Sequence, residues 1–228
     1  MTNYVLRVSC KTPVALGREG FYACLDSVLL HRLCLLTQGD VEAARKMMPL
    51  ERDGTIWRCG GGYDPNDRLL RTKTFPRPYK VYRRLSNDRN LAELADLDPM
   101  ALQSGVNRCF GQETVATEYR YSVRPQTMQL AFRFSSTDPE TVLRIMRLEP
   151  FLGPGHSVGL GEIDNLEITA GTENDPSWVY IDPLGRLTRP VPGDWKGFDG
   201  LPGLTALEPP YWSEPKVPAI VPYPSGVK

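Results

Sequence analysis

The sequence predicts an α+β domain whose strands and helices follow the order βαββαβ. Four segments alternate apolar and polar residues, as half-buried strands do. Two longer segments repeat apolar residues every three or four positions, as amphipathic helices do. Hydrophobic residues make up 41% of the 228, which is enough for a core and excludes a disordered chain.

The first strand and two helices lie near the N-terminus. Tyr4–Thr12 alternates and predicts a strand that Pro13 ends. Cys24–Leu36 predicts a helix because its apolar residues share one face. Asp40 is typical of an N-cap and predicts a short helix that Pro49 ends.

The middle of the chain has weaker patterns. Thr117–Val123 and Thr127–Ser135 alternate and predict two strands. We also expect a short strand at Thr55–Cys59, an extended segment at Phe75–Leu85 and partial helix at Asn90–Ser104.

The last helix and strand complete the order. Asp138 as N-cap and Pro139 at the first helical position predict a helix through Leu148. A glycine-rich loop, Gly153–Gly161, follows it, and Glu162–Thr169 predicts the final strand. This order fits a ferredoxin-like (RRM-like) fold with two helices on one sheet face, which leaves the other face for a ligand or partner.

The sequence predicts a domain and a C-terminal extension. Residues 1–170 are expected to form the ferredoxin-like domain, with a large insertion at about 40–115 as a candidate thumb. Residues 171–228 are expected to form a hairpin around Asp182–Gly185 and a Pro-rich C-terminal extension. Nine of the 39 residues after Arg189 are proline, and we expect neither helices nor central strands there.

The net charge of zero conceals an uneven distribution. A chain that coats nucleic acid would carry a general basic excess, which the total excludes. Residues 56–84, however, hold eight basic and two acidic residues, whereas residues 151–228 hold five basic and ten acidic ones. Aromatic residues lie within the basic block, at Trp57, Tyr63, Phe75, Tyr79 and Tyr82.

The cysteines and the N-terminus indicate a cytoplasmic protein. The five cysteines are an odd number without a CxxC pair, which predicts reduced thiols and neither a zinc site nor a disulfide framework. We expect no signal peptide and no membrane span.

The glycine-rich loop predicts no cofactor. It lies between a helix and a strand, whereas a dinucleotide site needs a strand, then glycines, then a helix. No P-loop motif is present either. Two readings stay open: a tight turn that needs positive φ, or a backbone that approaches a nucleic-acid backbone.

Two motifs carry a family resemblance. The loop sequence GPGHSVGLGEI resembles the glycine-rich loop of the RAMP superfamily, the ferredoxin-like RNA-binding subunits of CRISPR effector complexes. The segment Leu25-Asp26-Ser27-Val28-Leu29-Leu30-His31-Arg32-Leu33 resembles a first-helix motif in the branch that caps the 5′ handle of crRNA in type IV complexes. The resemblance covers about residues 1–170, and it departs at His156 and Ser157, where many such loops carry Lys or Arg.

The resemblance implies a non-catalytic RNA-binding subunit of an antiviral ribonucleoprotein complex. Such a subunit holds the crRNA 5′ handle, docks the neighbouring RAMP backbone subunit and the large subunit, and meets target DNA indirectly. The implied RNA contacts are Arg58, Tyr63, Arg71, Lys73, Arg77, Tyr79, Lys80, Tyr82, Arg83, Arg84, Gly155, His156, Ser157, Gly159 and Gly161.

Two other functions stay open. A crRNA-processing endoribonuclease of the same superfamily would use His31 as general acid or base, whereas a structural reading makes it an ordinary helix-face histidine. A protein-only interaction module would use the open sheet face and the Pro-rich tail. Asp26 is interpreted as a structural cap or an inter-element hydrogen-bond partner rather than a catalytic carboxylate.

Overall fold

The computed structural model describes the greater part of the chain. The described residues are 2–16, 21–66, 79–84, 106–109, 112–119, 126–153, 160–173 and 175–223; for residues 15, 79–84, 106–109, 112–119 and 126 only the backbone is described. The chain divides into two compact units, a first unit of Met1–Arg71 with Arg124–Lys228 and a second unit of Thr72–Val123.

The described elements combine strands and helices in an α+β class. They are β1 Asn3–Ala15, α1 Leu25–Leu36, α2 Val41–Lys46, β2 Arg52–Asp53, β3 Ile56–Trp57, β4 Tyr79–Arg84, β5 Val106–Cys109, β6 Gln112–Tyr119, β7 Gln126–Ser135, α3 Pro139–Met146, β8 Ile163–Ala170, a 3-10 helix Pro176–Tyr180, β9 Val191–Pro192, β10 Leu201–Thr205 and β11 Val217–Val221. Asn90–Ser104, expected to be partly helical, lies outside the described residues.

A three-stranded antiparallel sheet forms the centre of the first unit. Its order is β7-β1-β8, and Leu6 of β1 lies opposite Phe132 of β7 and Ile168 of β8. The alternating residues that predicted these strands form one apolar face, on which Leu6 and Phe132 are fully buried. The predictions of strands at Tyr4–Thr12, Thr127–Ser135 and Glu162–Thr169 are confirmed, but β1 continues past Pro13 to Ala15, with a shift of register between Ser9 and Val14.

Helices α1 and α3 pack on that apolar face. Leu29 and Leu33 of α1 and Val142 and Met146 of α3 belong to the same core as the sheet residues. Both predicted N-caps are confirmed, because Asp40 accepts a hydrogen bond from the Ala43 amide at 3.0 Å and Asp138 one from the Thr141 amide at 3.1 Å. Helix α1 buries Leu25, Leu29 and Leu33 as predicted, whereas Leu36 at its end is exposed.

Residues 58–63, which we call the edge segment, lack regular alternation and lie along the side of β7 that faces away from β1. The Tyr63 amide donates to the Ala131 carbonyl at 3.0 Å, and the Ala131 amide donates to Tyr63 at 2.8 Å. Two further bonds join Gly60 to Arg133 and Ser135 to Arg58. Of the strand expected at Thr117–Val123, residues 117–119 lie in β6, which belongs to a separate sheet of order β4-β6-β5, and residues 120–123 lie outside the described residues.

The glycines of this edge segment are sterically required. A Cβ on Gly61 would lie 2.3 Å from the Thr188 carbonyl oxygen, and one on Gly62 would lie 2.7 Å from the Phe132 ring. The segment is therefore confined between β7 and the C-terminal region, and only glycine fits this close approach.

The Pro-rich C-terminal region contains a sheet, which contradicts the expectation of no central strand. Its order is β10-β11-β9, with β11 in the centre. The Gly193 amide donates to the Pro218 carbonyl at 3.0 Å, so the backbone polar groups of Pro218 face β9. By alternation, Pro192 and Pro202 face the two free edges of the sheet. None of these prolines therefore removes an amide that the β10–β11 pairing needs.

The expected hairpin after residue 177 is replaced by another structure. Residues Pro176–Tyr180 form a 3-10 helix, and a single bridge between Ile181 and Leu187 closes the turn that contains Asp182. The turn was predicted correctly, but its first arm was not. Within the described part of the chain, no helix has both the length and the apolar character that a membrane span requires.

Candidate nucleic-acid interface

Strand β4 brings together five of the predicted RNA contacts, Tyr79, Lys80, Tyr82, Arg83 and Arg84. It pairs with β6 at the edge of the sheet, so no other described strand lies along the second side of its backbone. In the register, Lys80 lies opposite Glu118, Tyr79 opposite Tyr119 and Arg84 opposite Thr114. Because residues alternate between the faces of a strand, each face receives at least one cation and one tyrosine.

Seven other predicted contacts lie outside the described residues. They are Arg71, Lys73, Arg77, Gly155, His156, Ser157 and Gly159.

Arg58 and Tyr63 lie inside the first unit. Each is only 4% exposed. The Arg58 guanidinium lies 3.9 Å from the Asp53 carboxylate, and burial raises the pKa of the Tyr63 hydroxyl. In this position both side chains belong to the interior between the sheet and the C-terminal region.

Two glycines close the base of the glycine-rich loop. Gly153 and Gly161 have φ of +78° and +75°. The Leu152 amide donates to the Gly161 carbonyl at 2.8 Å, and a Cβ on Gly161 would lie 2.0 Å from the Leu152 carbonyl oxygen. The reading of this loop as a turn that needs positive φ is confirmed at its two ends.

The chain that leads into the loop is held by a buried arginine of α1. Arg32, 1% exposed, donates to the carbonyls of Met146, Glu149 and Phe151, the last two at 3.2 and 3.0 Å. Burial lowers the pKa of this guanidinium, although the Glu149 carboxylate opposes the shift. Its position in the apolar stripe of α1 is the sequence signal that identifies an internal arginine.

His31 lies on the outer surface of α1. Its side chain is 67% exposed, and Nε2 lies 3.5 Å from the Glu149 carboxylate. This geometry brings one imidazole and one carboxylate together at the start of the glycine-rich loop region.

A fully buried ion pair joins α1 to the C-terminal region. Arg189 lies 3.0 Å from Asp26, and both side chains are fully buried. Asp26 also accepts hydrogen bonds from the Tyr211 hydroxyl at 2.8 Å and from the Ser27 amide at 2.7 Å. The interpretation of Asp26 as an inter-element hydrogen-bond partner is confirmed, whereas its partners had no sequence signal that we identified.

Arg189 uses its remaining donors on backbone carbonyls. It donates to Leu207 at 2.7 Å, to Trp57 at 3.1 Å and to Cys59 at 3.2 Å. Burial opposes its charge, but the Asp26 carboxylate, together with Tyr211, Cys24 and Cys59, outweighs burial, so the pKa of Arg189 lies well above the ordinary value. The cluster connects the helix, the edge segment beside β7 and the C-terminal region.

The second face of the central sheet is only partly open, which corrects the expectation of a free face. Arg133 of β7 donates to the Ile181 carbonyl at 2.9 Å, and its guanidinium lies 4.2 Å from the Trp178 ring centre. The C-terminal region therefore covers this part. Arg7, Gln129 and Glu167 remain exposed on the rest of the face.

No protein-family model matches the chain, and no curated protein matches it. Within the described residues, no three His, Cys, Asp or Glu side chains come together as a metal site would require.

Proposed function

We propose that this chain is a non-catalytic RNA-binding subunit of a type IV CRISPR effector complex, which holds the 5′ handle of crRNA in the cytoplasm. The observation that carries the proposal is β4, where three cations and two tyrosines occupy the six residues of an edge strand of the described sheet. Cations neutralise phosphates, and tyrosines stack on unpaired bases.

The proposed fold is ferredoxin-like, with the edge segment Arg58–Tyr63 in the position of the second strand. The order is then β8, β1, β7 and the edge segment, with both helices on one face. The second unit is inserted between this edge segment and β7, where the resemblance implies a thumb. This arrangement supports residues 72–123, rather than 40–115, as the thumb.

A salt titration tests the proposal. The variant has Arg77, Lys80, Arg83 and Arg84 replaced by alanine; the control has the exposed Lys46, Arg147, Lys196 and Lys216 replaced by alanine. Both variants change the net charge by the same amount. Because each lost phosphate contact flattens the slope of log K against log salt by about 0.7, the first variant should flatten it by up to ~3.

The slope for the control variant should differ from the slope for the unmodified protein by less than about 0.7, which is the effect of one contact. Equal slopes for all three proteins would place the RNA elsewhere, and absence of single-stranded RNA binding at low salt would refute the proposal.

The second candidate function is a metal-independent endoribonuclease. The closeness of His31 to Glu149 favours it, because a carboxylate can support an imidazole that exchanges protons with the 2′-OH and the leaving 5′-oxygen. Cleavage of CRISPR repeat RNA that His31→Ala abolishes would establish this function. Cleavage that persists in His31→Ala would exclude His31 as its catalyst.

A further inference from the structure

The register of the sheet β4-β6-β5 divides its residues between two faces. Residues directly opposite each other in antiparallel strands share a face, and neighbours along one strand alternate. We call one side the polar face; its residues are Lys80, Tyr82, Arg84, Asn107, Cys109, Gln112, Thr114, Ala116 and Glu118. We call the other side the valine face; its residues are Tyr79, Val81, Arg83, Val106, Arg108, Glu113, Val115, Thr117 and Tyr119.

The number of charges is the same on both faces. The polar face has the cations Lys80 and Arg84 and the acidic residue Glu118. The valine face has the cations Arg83 and Arg108 and the acidic residue Glu113. The residues that accompany these charges must therefore decide which face suits RNA.

One row of residues crosses all three strands on each face. On the polar face this row is Arg84, Thr114 and Asn107, so a cation adjoins a hydroxyl and an amide. On the valine face the neighbouring row is Arg83, Val115 and Val106. An antiparallel sheet commonly packs its more apolar face on a core and leaves its polar face to solvent. The polar face is therefore the one suited to a charged, hydrogen-bonding ligand.

The tyrosines of β4 differ in the same sense. Tyr82 lies between Lys80 and Arg84 on the polar face, about 7 Å from each along the strand. It is opposite Ala116, whereas Tyr79 on the valine face is opposite Tyr119. Cross-strand aromatic pairs stabilise a sheet, which gives Tyr79 a structural role. A single ring between two cations has the alternation that phosphates and a stacked base require.

We propose that single-stranded RNA lies across the polar face of this sheet, with phosphates at Lys80 and Arg84 and a base stacked on Tyr82. Thr114 and Asn107 supply hydrogen-bonding groups for the nucleotide beside Arg84. The inference rests on the proposed function and deepens it, because it selects one face of the sheet and adds two contacts outside β4.

Two matched double variants test the choice of face. Lys80→Gln with Arg84→Gln removes two cations from the polar face, and Arg83→Gln with Arg108→Gln removes two from the valine face. Binding of single-stranded oligouridine is titrated with salt. The polar-face variant should flatten the slope of log K against log salt by about 1.4, twice the effect of one contact, and the valine-face variant by less than about 0.7.

Equal flattening by the two variants, a larger effect of the valine-face variant or no flattening in either would overturn the inference. The unmodified chain would still bind RNA in each of these cases, so the proposed function would survive. No binding by the unmodified chain at low salt would instead refute the proposed function, and the inference with it. The two failures are therefore distinguishable.

Photo-cross-linking gives a test that needs no substitution. Oligouridine that contains 4-thiouridine is irradiated in complex with the unmodified full-length chain, and the cross-linked residue is identified by mass spectrometry. We expect a cross-link at Tyr82, because a stacked base lies in contact with the ring. Cross-links confined to Tyr79, Tyr119 or another part of the chain would overturn the inference.

Discussion

Replacement of Arg189 by methionine should strongly destabilise the first unit. The change keeps much of the side-chain volume but removes the charge that faces Asp26 and the donors that reach Trp57, Cys59 and Leu207. Among the described residues, it leaves a fully buried carboxylate with hydrogen bonds only from Tyr211 and the Ser27 amide.

The magnitude follows from burial. Removal of one partner from a buried ion pair costs about 3–5 kcal/mol, because the other charge stays uncompensated. The orphaned carbonyls act in the same direction, at about 1 kcal/mol or more each where water cannot reach them. We therefore expect the free energy of unfolding to fall by at least about 3 kcal/mol.

Urea unfolding monitored by tryptophan fluorescence measures this change, since all four tryptophans belong to the first unit. Arg144→Met is the matched control, because Arg144 is 72% exposed and its ion pair with Asp138 should contribute less than about 1 kcal/mol. Asp26→Asn combined with Arg189→Met should cost about 1–3 kcal/mol less than the sum of the single changes. A loss below about 1 kcal/mol for Arg189→Met, or strict additivity, would refute the reasoning.

Three further predictions concern the thiols, the edge segment and the glycine-rich loop. Burial raises the pKa of the Cys10 and Cys24 thiols from 9.0 to about 11, so the unfolded chain loses these protons first and the free energy of unfolding falls as pH rises above 9. We expect it to drop by about 3 kcal/mol between pH 8 and pH 10, and a pH-independent value in this range would contradict the burial of the two thiols. Gly61→Ala should destabilise the first unit by more than about 2 kcal/mol, because the added Cβ would meet the Thr188 carbonyl. In Gly54→Ala the added Cβ meets nothing within 4 Å, so the free energy of unfolding should fall by only about 1 kcal/mol, from the positive φ; equal losses for the two variants would exclude the steric explanation. Arg32→Lys keeps the charge but loses the planar guanidinium that reaches three carbonyls at the base of the glycine-rich loop. Hydrogen exchange at the Leu152 amide should therefore be at least about tenfold faster than in the control His31→Ala, and unchanged exchange would show that Arg32 does not hold the loop base.

Side-chain periodicity predicted the elements that bury one face. Strands β1, β7 and β8 and helices α1 and α3 each repeat apolar residues at the spacing of their own geometry, and each was predicted within a few residues. The edge segment beside β7 escaped prediction because Gly60, Gly61 and Gly62 have no side chains to alternate. Its pairing depends on contacts with Thr188 and Phe132, which are distant in the sequence.

The C-terminal sheet escaped prediction for a different reason. A count of prolines assumes that a sheet needs the amide of every residue, but it needs only the amides that face a paired strand. Pro192 and Pro202 face free edges, so the composition that excluded a sheet is compatible with one.

The polar cluster was predicted only in part. The position of Asp26 in the first turn of α1 identified a structural carboxylate, but its partner lies 163 residues further along the chain. Composition likewise indicated the basic block around β4, yet Arg58 and Tyr63 at the start of this block are buried. Their burial was not predicted, because a run of charges in the sequence does not distinguish an internal arginine from an exposed one.

The central claim is that this chain holds the 5′ handle of a crRNA. The most direct test is to purify the tagged full-length chain from the cells that naturally produce it and to sequence the RNA bound to it. The proposal predicts short RNAs that share one 5′ handle, with loss of this enrichment when Arg77, Lys80, Arg83 and Arg84 are replaced by alanine. RNA with no common 5′ sequence, or no enriched RNA, would contradict it.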